Sequence, residues 1–463
     1  MEGTTLQDIT ATAPEYTAAE NTTGATATAA DDVRTLTSKR RTDHHIWGTY
    51  IFIVLISVIE LFSASIQEVT PDDIYGPIIR HVFYIGLGLV IMLVLQKIHF
   101  RYIYFCIPLF VICSILAMII VNFAGTKVNG ELRAISLGPI FILPAEFLKL
   151  ATALGVAWIL SRCQLKDRHD VTERGFWWCL GFLFVCCGLL FFHGLTNTIL
   201  VAAIGVAMMF VGGVGGKKFL LALLIMGAVG GTGVLIKTTY KSDDGPTEQQ
   251  IKAAQLNKED IEVSTGHGRG ATWNGRLSRH FRSDKYKDPI TDENKQEQLS
   301  YIAQAHGGVF GAGIGNSREN ARLPLAVSDY IYAIVIEELG LIVGIVLLFS
   351  YVWLLGRSAR LMMCFRQTLP GVLVIGCAFV IVFQALVHMA IVTGFFPVSG
   401  QPLPLISKGG TSIIATSIAF GIMLSVSRHA ARYNDSNAVR QEIEVLPDNV
   451  ISTNPSMLDI KKN

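Results

Sequence analysis

Apolar runs, each close to the length that crosses a bilayer, alternate with short charged connectors along most of the 463-residue chain. A span needs about 20 apolar residues, and a helix in lipid satisfies its own backbone hydrogen bonds. On that ruler there are ten runs, at about 47–66, 77–97, 103–123, 142–161, 176–192, 195–213, 219–237, 330–355, 371–395 and 410–427. The expected fold is an all-α polytopic membrane protein of ten transmembrane helices. Only 16% of the residues are charged, against about a quarter in soluble domains, too few to coat a water-facing surface. A soluble enzyme, a disordered chain and a nucleic-acid binder are thereby excluded.

Lysine and arginine fix the expected sides. Arg101, then Arg162, Lys166, Arg168 and Arg174, then Lys217 and Lys218, then Arg357, Arg360 and Arg366, then Arg428 and Arg432 fall on alternate connectors. The positive-inside rule makes those connectors and both termini cytoplasmic. Residues 1–44 read as a disordered cytoplasmic tail, 45–432 as the ten-span domain and 433–463 as a polar cytoplasmic tail. Ser63-Ala64-Ser65 looks like a signal-peptidase site, but the run before it is too long for a cleaved signal, so a retained helix is expected. Five segments collect on the outer face: the connector around Val128–Arg133, the helix start at Pro144, the turn His193–Thr198, the long loop 238–328 between spans 7 and 8, and Pro397–Gly410. One assembled outer site is expected from them. The inner connectors hold no Gly-rich phosphate loop, so ATP chemistry within the chain is not expected. Eight cysteines with no Cys-x-x-Cys pair argue against a disulfide framework and a Cys/His metal site.

Asp329 sits where the long loop enters span 8, and a partly desolvated carboxylate at a water–lipid boundary suits a general base. The competing reading is a first-turn acid behind a Ser328 N-cap. Glu337 and Glu338 lie about 12–13 Å further along the same helix, where structural pairing inside the bundle outweighs function. Glu146 and Lys149, three apart after Pro144 as the first helical residue, share a helix face. They either neutralise each other or leave the ammonium for a phosphate. Arg133 is a cation on the outer side, against the usual bias. Arg276 and Arg279 belong to a basic stretch that reads either as a solvated loop or as a collar for an anionic headgroup. Gly307–Gly315 mimics a nucleotide loop on the wrong side of the membrane and reads instead as a tight re-entrant turn. Pro402–Ser412 reads as broken backbone before a helix N-terminus, where Ser407, Lys408, Gly409 and Gly410 are placed to hold a phosphate.

These motifs, in this order, resemble the SEDS family of shape, elongation, division and sporulation proteins (FtsW, RodA and SpoVE). The residues that carry the likeness are Val128-Asn129-Gly130 with Arg133, Pro144-Ala145-Glu146-Phe147-Leu148-Lys149, Gln304–Ser317, Leu323-Pro324 with Ser328–Ala333, Glu337–Gly340, and Pro402–Ser412. The resemblance covers about residues 45–432. It implies a peptidoglycan glycosyltransferase that polymerises lipid II at the outer face of the bacterial inner membrane, beside a class B penicillin-binding protein and other division proteins. It puts Asp329 at the family's essential aspartate. It leaves Arg133, Lys149, Lys408, Arg276 and Arg279 as cations for the undecaprenyl diphosphate leaving group, with Asn129, Pro144, Glu337 and Glu338 in support. A divalent cation (Mg or Mn) could share that task; no carboxylate cluster marks a site for one. The sequence departs from the family in four places, one of them Ala145 for the usual Ser between Pro144 and Glu146. His193-Gly194-Leu195-Thr196-Asn197-Thr198 lacks the usual acid, Ala134 replaces the usual Trp, and the loop looks expanded between about 240 and 296. The wording around Asp329 resembles FtsW proteins of Bacteroidetes-like bacteria more than RodA, which favours division at the septum. The alternatives are an elongation polymerase, a lipid II flippase and a scaffold.

Overall fold

The computed structural model describes residues 42–64, 76–128, 131–137, 140–163, 171–191, 194–239, 280, 290–291, 294–323, 326–365 and 368–430. Of the expected tails, 1–44 and 433–463, residues 1–41 and 433–463 lie outside this set, as do Asn129, Arg276, Arg279 and most of the loop 240–293, while His44 already opens a helix. Eleven long helices are described: α1 (His44–Ala64), α2 (Gly76–Leu95), α3 (Phe100–Ala124), α4 (Pro144–Cys163), α5 (Glu173–Phe191), α6 (Leu195–Val211), α7 (Gly216–Thr239), α8 (Lys295–Gly307), α9 (Ile331–Cys364), α10 (Thr368–Val392) and α11 (Gly410–His429). Seven of them, α2–α5 and α9–α11, are long and apolar enough to cross a membrane, and α1 and α6 contain shorter apolar helices. With α7, those two occupy the remaining three places where spans were expected.

The bundle is layered from the inside out. In α4, α10 and α11 the crossing stretches are 78%, 83% and 83% buried, whereas in α2 and α3 only 17% and 22% are. The outer helices therefore present apolar side chains to lipid. Because lipid tails are as apolar as leucine, inner helices associate through close packing rather than hydrophobic transfer. α4 is built for this with Ala151, Ala153, Gly155 and Ala157. A Cβ on Gly155 would stand 2.6 Å from the Phe182 ring of α5.

The all-α reading gains one addition. The connector between α3 and α4 folds as an antiparallel meander of β1 (Thr126–Val128), β2 (Glu131–Leu137) and β3 (Ile140–Ile142). Thr126 pairs with Ala134 but Lys127 pairs with Leu132, so Arg133 is the extra residue of a β-bulge.

The loop before α9 is also more built than expected. Its last part forms α8, held to the end of α10 where Ser300 Oγ and Gln304 Nε2 donate to the Val392 carbonyl at 3.1 and 2.9 Å. The glycine run after α8 then docks against a break in α9. There Gly340 takes φ +90° and ψ 164°, and Ala312 and Gly313 donate to the Glu337 and Glu338 carbonyls at 2.8 and 3.0 Å. A Cβ at Gly311 would collide with the Glu338 carbonyl, and one at Gly340 would lie 2.5 Å from the Phe310 carbonyl carbon. The re-entrant turn is a backbone-on-backbone contact that only glycine permits.

Candidate active site

Asp329 lies outside α9. The helix begins at Ile331 with Tyr330 as N-cap and no side-chain cap bond, so the expected Ser328 cap and first-turn acid are both displaced. Ser328 instead offers its carbonyl to Ser407 Oγ at 2.6 Å, and Lys408 N–H donates to the Val327 carbonyl at 2.9 Å. Two hydrogen bonds thus clamp the turn 326–330 against the segment 397–410. The Asp329 carboxylate meets that segment at Gly400, where an added Cβ would stand 2.8 Å from Oδ2. The half-buried acid is therefore held between two non-helical stretches, not used to cap a helix.

The segment it meets is broken backbone, as expected. Leu405, at φ +65°, is the sole non-glycine residue with positive φ among the described residues. Such a conformation costs about 1–3 kcal/mol and persists where the surroundings fix it. Ser407 helps to fix it, for its Oγ also accepts Leu403 N–H at 2.7 Å. Ser407 is thus a staple, not a free phosphate ligand. Gly409 caps α11, and Gly410 opens it under the Tyr84 ring, 2.5 Å from where its Cβ would be. Beside that N-terminus Thr411 and Ser412 are 3% and 2% exposed, and their hydroxyls have no hydrogen-bond partner among the described residues. Lys408 is half-buried there, in the neighbourhood of His81 of α2.

Glu146 and Lys149 form a pair 2.6 Å apart at the start of α4, with Pro144 as the first helical residue as expected. Lys149 is fully buried and donates a second bond to Gln384 Oε1 at 2.9 Å, which favours the self-neutralising reading over direct display to a phosphate. Gln384, in the middle of α10, escaped the reading of the sequence. Its Nε2 donates to Glu146 Oε2 at 3.3 Å and to the Pro402 carbonyl at 3.0 Å, so it joins the ion pair to the segment that faces Asp329. Gln401 Nε2 reaches Asn197 Oδ1 at 2.9 Å, which ties the start of α6 to the same segment. The signal was available: polar residues inside an apolar span face a partner or a wet cavity.

Glu337 and Glu338 are drawn into structural work. Both are buried. His306 Nδ1 lies 2.8 Å from Glu337 Oε1, which also accepts Arg318 N–H at 2.9 Å, while Ser317 Oγ donates to Oε2. Glu338 accepts from Ser63 Oγ of α1 and from Gly315 N–H at 3.1 Å. The two acids hold the glycine turn and α1 to the break in α9. Arg133 is placed by its backbone on β2. Among the described residues no group of three or more His, Cys, Asp or Glu side chains is arranged to hold a metal ion.

Known proteins share this arrangement of segments. The family model for FtsW, RodA and SpoVE, described as "Cell cycle protein", matches residues 43–251 and 271–432. The unmatched stretch falls inside the region that looks expanded in the sequence. Stage V sporulation protein E of Bacillus subtilis is 28% identical over 390 residues, covering 82% of this chain and 95% of its own. The probable peptidoglycan glycosyltransferase FtsW of Alcanivorax borkumensis is 28% identical over 409 residues, covering 84% and 94%. That of Taylorella equigenitalis is 31% identical over 322 residues, covering 67% and 76%. Among solved structures, the rod shape determining protein RodA of Thermus thermophilus has the same fold at a TM-score of 0.55 and 20% identity, covering 85% of this chain and 99% of its own. A chain from a peptidoglycan synthase complex matches at a TM-score of 0.59 and 22% identity, covering 84% and 98%. A match that spans well over half of the chain and takes in each site segment described above places this protein in the FtsW/RodA/SpoVE family.

Proposed function

We propose that this chain is a peptidoglycan glycosyltransferase that joins lipid II units into glycan strands at the outer face of the bacterial inner membrane during cell division. The observation that carries the reading is Asp329, free of the helix and held against Gly400. The names of the curated relatives support it.

The 4-hydroxyl oxygen of the acceptor sugar attacks the anomeric carbon of the donor, and Asp329 takes the hydroxyl proton as the new bond forms. The bond from that carbon to the diphosphate breaks with inversion, and undecaprenyl diphosphate leaves with the electron pair. Charge developing on the leaving group calls for preorganised donors. The start of α11 offers backbone N–H groups, the Thr411 and Ser412 hydroxyls and the Lys408 ammonium. Arg133, Arg276 and Arg279 are the further cations assigned to the diphosphate. Lys149 acts at one remove, by fixing Gln384 and through it Pro402.

The chain works with a class B penicillin-binding protein that crosslinks the new strand, at the septum and with both termini in the cytoplasm. A neighbour drawn from a complex named for coordinating polymerization and crosslinking supports that partnership. Purified protein with its transpeptidase partner, given lipid II, should yield glycan polymer. Transfer of labelled lipid II across vesicle bilayers without polymer would establish a flippase instead.

A further inference from the structure

We propose that a groove between α1 and α9, at the far end of α9 from Asp329, binds one anionic phospholipid. Its phosphate sits at Arg360 with His44 and His45, and an acyl chain runs along Phe52, Val346 and Phe349. The groove is open along one side and offers about 630 Å³ of space, inside the roughly 300–1,000 Å³ range of ligand sites. Its two ends differ in chemistry. Val346 and Phe349 are 47% and 64% exposed, as lipid-facing side chains are. About two to four helical turns on lie Arg357 and Arg360, three apart on one face.

Charge decides which lipid fits. Arg357 is already matched, with Nη2 2.6 Å and Nε 2.8 Å from Asp43 Oδ2. Asp43 is also occupied as the cap of α1, its Oδ1 accepting His45 N–H at 2.9 Å. Arg360 is exposed and has no partner among the described residues, so the groove carries one uncommitted positive charge beside two exposed histidines. Basic pockets between spanning helices hold anionic headgroups, whereas a partner helix would have to supply its own acid at this depth. The space itself is kept open from both sides. Gly48 on α1 and Gly356 on α9 line the groove, and a Cβ at either would meet nothing within 4 Å.

The test is lipid retention by the full chain in nanodiscs of equal phosphatidylglycerol and phosphatidylethanolamine, read by native mass spectrometry beside a thermal melt. The wild type should retain phosphatidylglycerol selectively. Arg360→Gln, at an exposed side chain, should lower that retention about fivefold, and Gly48→Leu with Gly356→Leu should abolish it, the melt of Arg360→Gln being unchanged. Equal retention of both lipids by the wild type would overturn the proposal. So would undiminished phosphatidylglycerol in the variants, a loss with Arg360→Gln but not with the leucines, or a single-span protein displaced by the leucines while the lipid stays.

Discussion

Gln384 satisfies three partners with one amide: the Lys149 ammonium, the Glu146 carboxylate and the Pro402 carbonyl. Leucine at this position keeps the volume and leaves those groups short of partners in a buried site, which costs about 1–3 kcal/mol. Lys149→Met goes further, because it strands the Glu146 carboxylate, and a broken buried pair costs about 3–5 kcal/mol. Thermal unfolding in detergent should therefore rank Lys149→Met below Gln384→Leu and both below the wild type; the reverse order would show that the pair is not a buried one. The pair itself was legible from its spacing after Pro144. Its link to Pro402 was not, because no local pattern says which carbonyl a glutamine in the middle of a span will meet. Asp329 was legible as an acid at a boundary, but the competing cap reading fell only when α9 proved to begin at Ile331.

At the scale of elements, the glycines of the re-entrant turn and of α9 work as a matched set. Gly311 and Gly340 have φ of +85° and +90° and press backbone against backbone. Gly311→Ala should lower stability by about 1–3 kcal/mol, from strain and contact together. Gly86 and Gly181 stand inside helices with nothing within 4 Å of an added Cβ. Alanine at either should be neutral or stabilise by up to about 1 kcal/mol. Melting temperatures of the three variants separate the two kinds of glycine, and equal shifts would contradict the docking account. Apolar run length gave the expected spans to within a few residues, except that α9 runs to Cys364, nine residues past the expected end, and α8 was not foreseen. The break at Gly340 was hidden, because the sequence on both sides continues a helical apolar pattern and the cause lies in a strand of backbone about thirty residues earlier. The small sheet was missed for a related reason: its strands are too short to show a period, and one carries a bulge at Arg133.

Across the whole molecule, the two ends of α9 carry different chemistry. The end away from Asp329 is closed by the ion pair between Arg357 and Asp43, which also takes the Ser427 hydroxyl as acceptor for its own N–H at 3.1 Å. Burial pushes the Asp43 carboxyl up, but the Arg357 hydrogen bond and charge, with the two N–H groups of α1, hold it below its usual 3.8. A carboxyl depressed in the folded state adds stability above its unfolded value and loses it as pH falls through the folded one. The wild type should therefore lose melting temperature relative to Asp43→Asn as pH drops below about 3.8, and parallel curves would show that the pair contributes nothing. Arg357 was legible as a basic residue on a connector; its pairing with Asp43, 314 residues earlier, was not. The Asp329 end was legible only as a set of motifs; that the turn 326–330 and the segment 397–410 clamp together depends on contacts some eighty residues apart. The central claim is that Asp329 removes a proton during glycosyl transfer, and a positioned base is worth about 10²–10⁴ in rate. The direct measurement is the rate of glycan-strand formation from lipid II by purified Asp329→Asn protein with its partner, beside the wild type at matched folding and lipid II binding. A fall of at least about 100-fold is predicted, and a rate near that of the wild type would contradict the account.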